Sequence, residues 1–174
     1  MIVRPQVFTP LLSGRAWYLA VLQSRVHELW ARLLSSSLED RLRYAASDCF
    51  ENFPFPLEPS FASLDALGAK LEKERGAYMS SNTVGLTTTY NRLKDPSLTE
   101  AAVVSLRSLH EAVDRAVLDA YGWNDVKVPP FCGATPAELE AVEDDVLDRL
   151  FDLNERRARE EALLAAPAKK RARK

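Results

Sequence analysis

Residues 53–56 read Phe-Pro-Phe-Pro, and this tetrapeptide constrains the fold more than any other stretch of the chain. A residue before proline is pushed out of the helical region, and proline itself lacks a backbone donor. Phe53 and Phe55 must therefore be extended, so residues 47–56 read as a non-helical strap, with Pro54 and Pro56 stiffening two large side chains that need burial. On either side, apolar residues recur at helical spacing. Leu19, Leu22, Val26, Leu29 and Leu33 line one face of a helix over 15–35, ended by Ser35-Ser36-Ser37. Trp17 and Trp30 widen that stripe, while Arg25, Glu28 and Arg32 form an ion-pair row on the other side. Leu64, Leu67, Leu71 and Tyr78 predict a second helix over 60–80, in which Gly68 and Gly76 each cost about 1 kcal/mol against alanine and point to close backbone packing.

Residues 82–92 are rich in Thr and Asn and read as a loop or a short irregular helix. Ser97 and Glu100 have capping-box spacing ahead of a third helix over 98–121, striped by Ala102, Leu106, Leu109, Val113, Ala116 and Ala120 and stopped by Gly122. Thr135 and Glu138 repeat the box, with Pro136 at the first helical position. Leu139, Val142, Val146, Leu150 and Leu153 carry this fourth helix through Arg159. Pro5, Pro10 and Gly14 weaken helix at the start, which predicts a short extended entry over 1–14. The expected fold class is mainly α, with antiparallel helices, the Pro-rich strap and that extended segment. The expected organisation is 1–59, the end of a larger region; 60–164, a helical domain; and 165–174, a disordered basic tail with nothing to bury.

Charge separates these regions more than the formal net of −2 shows. Residues 1–44 hold six basic against three acidic side chains, 45–98 five against seven, 99–154 four against twelve, and 155–174 eight against three. This excludes a uniformly basic nucleic-acid coat and leaves a bipolar helical protein. No apolar run approaches the roughly 20 residues of a membrane span, so a cytoplasmic protein without membrane contact is expected. Cys49 and Cys132 are far apart and read as core or loop thiols. Glycine-rich phosphate loops, HExxH and GxSxG are absent. His27 and His110 fall mid-helix in structural or solvent-facing roles, and Asp144-Asp145 reads as a solvated acidic face. No metal or cofactor site is expected in this chain.

Several ordered motifs are more specific than composition. They are residues 22–31 leading to Ser36-Ser37-Leu38; Leu42-Arg43-Tyr44 leading to residues 47–56; Gly85-Leu86-Thr87 with Tyr90-Asn91-Arg92 and Asp95-Pro96; Leu109-His110-Glu111, Asp114-Arg115-Ala116-Val117 and Ala120-Tyr121-Gly122-Trp123; and the closing Leu153-Asn154-Glu155-Arg156-Arg157. Across roughly 16–162, their order resembles the C-terminal region of type IIG-like restriction-modification and phage-defence N6-adenine DNA methyltransferases. The resemblance implies a parent with an upstream S-adenosylmethionine-binding domain, a target-recognition region and this helical end, and leaves open whether the parent also cuts DNA. The family's Asn-Pro-Pro-Tyr motif and cofactor loop do not occur here, so the chain is read as a truncated gene, a split frame or a separately expressed remnant without catalysis of its own.

In that setting the strap resembles the exit from a recognition domain into a packing helix. Candidate DNA contacts are Ser36, Ser37, Arg41, Arg43 and Tyr44, with a second group at Thr87, Tyr90, Asn91 and Arg92, because guanidinium, hydroxyl and amide groups bind phosphates or base edges. DNA binding by the chain alone is expected to be weak. A domain cut from its neighbours is expected to expose apolar surface that the parent would cover, with Trp17-Tyr18 as the patch, and so to self-associate; a different reading is a freestanding helical interaction module that dimerises through its apolar stripes.

Overall fold

The computed structural model describes residues 16–35, 44–57 and 61–165. The described residues are mainly α-helical and contain no strand. Among the described residues six α-helices follow one another: α1 Trp17–Gln23, α2 Arg25–Leu34, α3 Phe61–Asn82, α4 Leu86–Lys94, α5 Ala101–Ala120 and α6 Pro136–Ala165. The extended entry expected over 1–14 and the basic tail lie outside the described residues, apart from Ala165 at the end of α6.

The single helix expected over 15–35 is two. Ser24 is extended (φ −76°, ψ 155°), and its hydroxyl donates to the Val21 carbonyl at 2.6 Å and accepts from the His27 amide at 3.4 Å. Helices this short are marginal alone, and each receives a carboxylate from a longer helix. Asp65 on α3 accepts from the Trp17 amide at 2.6 Å, and Asp114 on α5 accepts from the Arg25 amide at 2.7 Å. These caps come from residues 48 and 89 positions away. Local periodicity therefore carries no trace of the break.

One core joins α1, α2, α3, α5 and α6, drawing on residues from both sides of position 59: Trp17, Val21, Trp30, Phe53, Phe55, Leu64, Leu71, Val113, Val117, Val146 and Leu150. At Gly68 the backbones of α1 and α3 meet closely; an added Cβ would lie 2.0 Å from the Ala16 carbonyl oxygen. Gly76 has no such neighbour. Leu33, placed on the first stripe, is half-exposed, and Leu139 of the fourth stripe is exposed too. Trp17 and Tyr18 do not form an exposed patch: each is 4 % exposed, and Trp17 stacks on Phe61 with ring centres 4.1 Å apart.

A smaller core of Tyr78, Leu93, Val103 and Leu106 seats α4 against its neighbours. Of the two alternatives for this stretch the helical one holds: residues 86–94 are a short helix, and a regular one. The α3–α4 turn is a left-handed cap in which Thr83 (φ 54°) stands where glycine is usual and the Val84 amide donates to the Met79 carbonyl. Ser97 does not cap α5. Its amide and hydroxyl both donate to Asp95, while Glu100 occupies the N-cap position without a side-chain bond. The Thr135–Glu138 box forms as expected, with the Thr135 amide donating to Glu138 at 2.8 Å and the Glu138 amide to Thr135 Oγ1 at 3.3 Å. Gly122 (φ 78°) ends α5.

Candidate nucleic-acid interface

The strap is held from two sides. Residues 46–50 form one π-helical turn, a departure from the non-helical reading of 47–56; residues 53–57 are non-helical, but instead of the expected fully extended run the Phe55 amide donates to the Phe53 carbonyl at 2.9 Å, a tight turn across Pro54. Phe53 and Phe55 are almost wholly buried and meet edge-to-face at 4.9 Å. Phe53 also packs on His27 and Trp30 of α2, and Phe55 on Trp17, Tyr18 and Phe50. Such ring pairs contribute about 1 kcal/mol each beyond burial. From the other side, α6 grips the backbone: Asn154 Nδ2 donates to the Asn52 carbonyl at 2.9 Å, and Arg157 Nη1 donates to the Phe55 carbonyl at 2.7 Å. Arg157 is half-buried, and desolvation pulls its pKa down. The last of the ordered sequence motifs, residues 153–157, is thereby the clamp on the second.

Of the first group of candidate contacts, Ser36, Ser37, Arg41 and Arg43 lie outside the described residues. The ends of the chain on either side of them are fixed to α2. Ser35 Oγ donates to the Ala31 carbonyl at 2.6 Å, and Cys49, buried, packs its thiol 3.6 Å from that hydroxyl. Tyr44 is 47 % exposed, yet its hydroxyl lies 3.1 Å from His27 Nε2. Burial holds His27 neutral by lowering its pKa to about 4, and desolvation raises that of Tyr44.

The second group divides by the faces of α4. Thr87 and Asn91 are exposed four residues apart, and Lys94 continues that face. Tyr90 turns the other way: its hydroxyl accepts from Arg75 Nη1 at 2.9 Å, donates to Gln23 Oε1 at 3.2 Å and sits 3.3 Å from His110 Nε2, tying α4 to α1, α3 and α5. Arg92 donates to the Tyr78 hydroxyl at 3.1 Å. This network was not legible in the sequence, although an aromatic hydroxyl, an Arg and a mid-helix His on separate apolar stripes are its raw materials.

Most arginines of the described residues serve the fold. Arg107 donates to carbonyls of residues 92, 93, 95 and 98, closing the α4–α5 connection. Arg115 holds the Trp123 and Val126 carbonyls, and Arg25 those of Pro129 and Pro130. In the ion-pair row expected on α2, Arg32 does meet Glu28, at 2.6 Å, whereas Arg25 pairs with Asp114. Arg149 bridges Asp125 and Asp145 along an otherwise acidic stretch of α6, and Arg159 pairs with Glu155. Lys73, Lys94, Lys127 and Arg156 remain exposed. Among the described residues, no group of His, Cys, Asp and Glu is arranged to hold a metal ion, and no helix is long and apolar enough to cross a membrane.

These features define a helical scaffold that grips an aromatic, non-helical strap. The strap closes the stretch with a known counterpart: residues 1–57 match the family described as MmeI, target recognition domain, a recognition domain of restriction-modification enzymes. The match covers the N-terminal third of the chain and agrees with the resemblance drawn from the ordered motifs. No curated protein and no solved structure matches the chain.

Proposed function

We propose that the chain is the non-catalytic target-recognition and helical part of a site-specific DNA adenine methyltransferase from a restriction-modification or phage-defence system. The observation that carries this reading is the clamp: the strap ending the matched residues 1–57 is keyed into α1 and α2 by Phe53 and Phe55 and held by Asn154 and Arg157 of α6. In this reading α3–α6 carry the matched recognition segment, of which α1 and α2 are part, and DNA is contacted by Ser36, Ser37, Arg41, Arg43 and Tyr44. Thr87 and Asn91 offer a second polar face, with Tyr90 and Arg92 bracing it from within. Because the scaffold spends most of its arginines on its own carbonyls and carboxylates, phosphate contacts fall to cations near the recognition segment and in the tail.

S-adenosylmethionine belongs to the upstream domain or subunit that this reading requires as partner. Two spaces among the described residues do not suit it: the apolar cavity beside Val26, Leu29 and Val146 is far too small for a nucleoside, and the open groove beside Tyr121 and Trp123 is lined by Arg149 and Arg159, already paired with acids. Incubating the chain with labelled S-adenosylmethionine and mixed-sequence DNA should give background counts; protein-dependent adenine methylation would overturn the reading. A second reading, self-association, draws on Leu163 and Leu164, which are 77 % and 87 % exposed at the end of α6. Sedimentation distinguishes them: a concentration-dependent dimer abolished by Leu163→Glu and Leu164→Glu favours association through that end.

A further inference from the structure

His27 and Tyr44 both lie within the matched residues, and their pairing decides where the Tyr44 hydroxyl proton points. A neutral imidazole carries one N–H and one lone pair. His27 Nδ1 is buried without a partner, whereas Nε2 lies 3.1 Å from Tyr44 Oη. A proton on Nδ1 would strand a buried donor, which costs more than stranding a lone pair. The proton therefore sits on Nε2, which donates to Tyr44 Oη, and the Tyr44 proton is left for another acceptor. Phe53 holds the imidazole edge-on at 4.7 Å, so the strap fixes the ring that fixes the tyrosine. Tyr44 itself faces solvent.

We propose that His27 is a positioning residue that donates to Tyr44 and thereby commits the Tyr44 hydroxyl as an outward hydrogen-bond donor to a nucleic-acid phosphate. The proposal rests on the DNA-recognition reading above and adds a residue and a protonation state to it. A phosphate oxygen accepts only, so it complements a hydroxyl whose lone pair is already engaged. Arginine is the commoner phosphate ligand, but the described part of α2 offers only Arg25 and Arg32, both paired with carboxylates.

The test is nuclear magnetic resonance on the full chain with labelled His and Tyr, titrated with a mixed-sequence duplex at low salt. Expected are a proton on His27 Nε2 in the free chain and a response of the Tyr44 ring to DNA. That response should fall at least threefold in His27→Ala and be kept in His27→Gln, whose amide also reaches as a donor. Tyr44→Phe, which leaves the fold's apolar contacts intact, should cut the response at His27 at least threefold. A proton on Nδ1, or a silent Tyr44 while signals from residues 166–174 shift, overturns this inference alone. Absence of any response to DNA overturns the DNA-recognition reading as well.

Discussion

Replacing Gly68 with alanine tests the closest approach in the fold, and Gly76 on the same helix supplies its control. A Cβ at Gly68 would lie 2.0 Å from the Ala16 carbonyl oxygen and 2.8 Å from its carbon, both backbone atoms that no rotamer change can move. An ordinary C···O contact is about 3.3 Å, so α1 would have to retreat by roughly 1.3 Å. That retreat loosens α1 on α3 and drags on the Trp17 amide bond to Asp65. A backbone clash this close puts the overpacking cost at the upper end, about 3 kcal/mol or more, from which helix propensity returns about 1, leaving a net loss of roughly 2 kcal/mol. Gly76→Ala meets nothing within 4 Å and should gain about 0.5–1 kcal/mol. Urea denaturation of both variants beside the parent chain measures the difference. A Gly68→Ala chain as stable as the parent would refute the close packing of α1 on α3.

Stability should also follow the buried titratable groups. His27 and His110, each lowered to about 4 from 6.5, keep their full contribution above about pH 6.5 and lose it as pH falls toward 4, by roughly 3 kcal/mol apiece. Asp114, raised to about 6 from 3.8, works in the opposite sense: its contribution is full below about 3.8 and is lost as pH rises through 6. Two histidines outweigh one aspartate, so melts between pH 7 and 4.5 should show net acid destabilisation, steeper in Asp114→Asn; a flat profile would contradict the buried, neutral histidines. Arg157→Ala should cost about 1–3 kcal/mol in urea denaturation and speed proteolytic cleavage near residue 55, and unchanged stability and cleavage would remove the clamp on the strap. Thr83→Gly should stabilise by about 1 kcal/mol by relieving a left-handed β-branched residue, and a loss instead would mean that Thr83 is not strained.

The non-helical, buried Phe-Pro-Phe-Pro strap, the long helices and the Thr135–Glu138 cap were legible because their causes are local. Proline geometry, 3.6-residue periodicity and a reciprocal cap each act within a few residues. The break at Ser24 was not, since beyond the short-range bonds of its own hydroxyl the carboxylates that cap the two helices, Asp65 and Asp114, belong to other helices. Residues 86–94 are helical against their composition because Leu93 and Thr89 are buried on a tertiary core. In the candidate interface, residue types pointed to Thr87, Tyr90, Asn91 and Arg92 together, but which side of α4 each occupies depends on where α3 and α5 lie. Asn154 and Arg157 stood out only through the resemblance, because a side chain gripping a carbonyl 102 residues away leaves no periodic signal.

The central claim is that this chain depends on a partner to read DNA. Titrating the full chain and a chain lacking residues 169–174 against two unrelated duplexes, each at two salt concentrations, tests it most directly. Removing that tail takes away five positive charges. Predicted are weak affinities, similar for both duplexes, that fall steeply with salt and largely vanish with the tail while the helical fold persists. Strong, sequence-selective binding that survives tail deletion would contradict the account and make the chain an autonomous DNA reader.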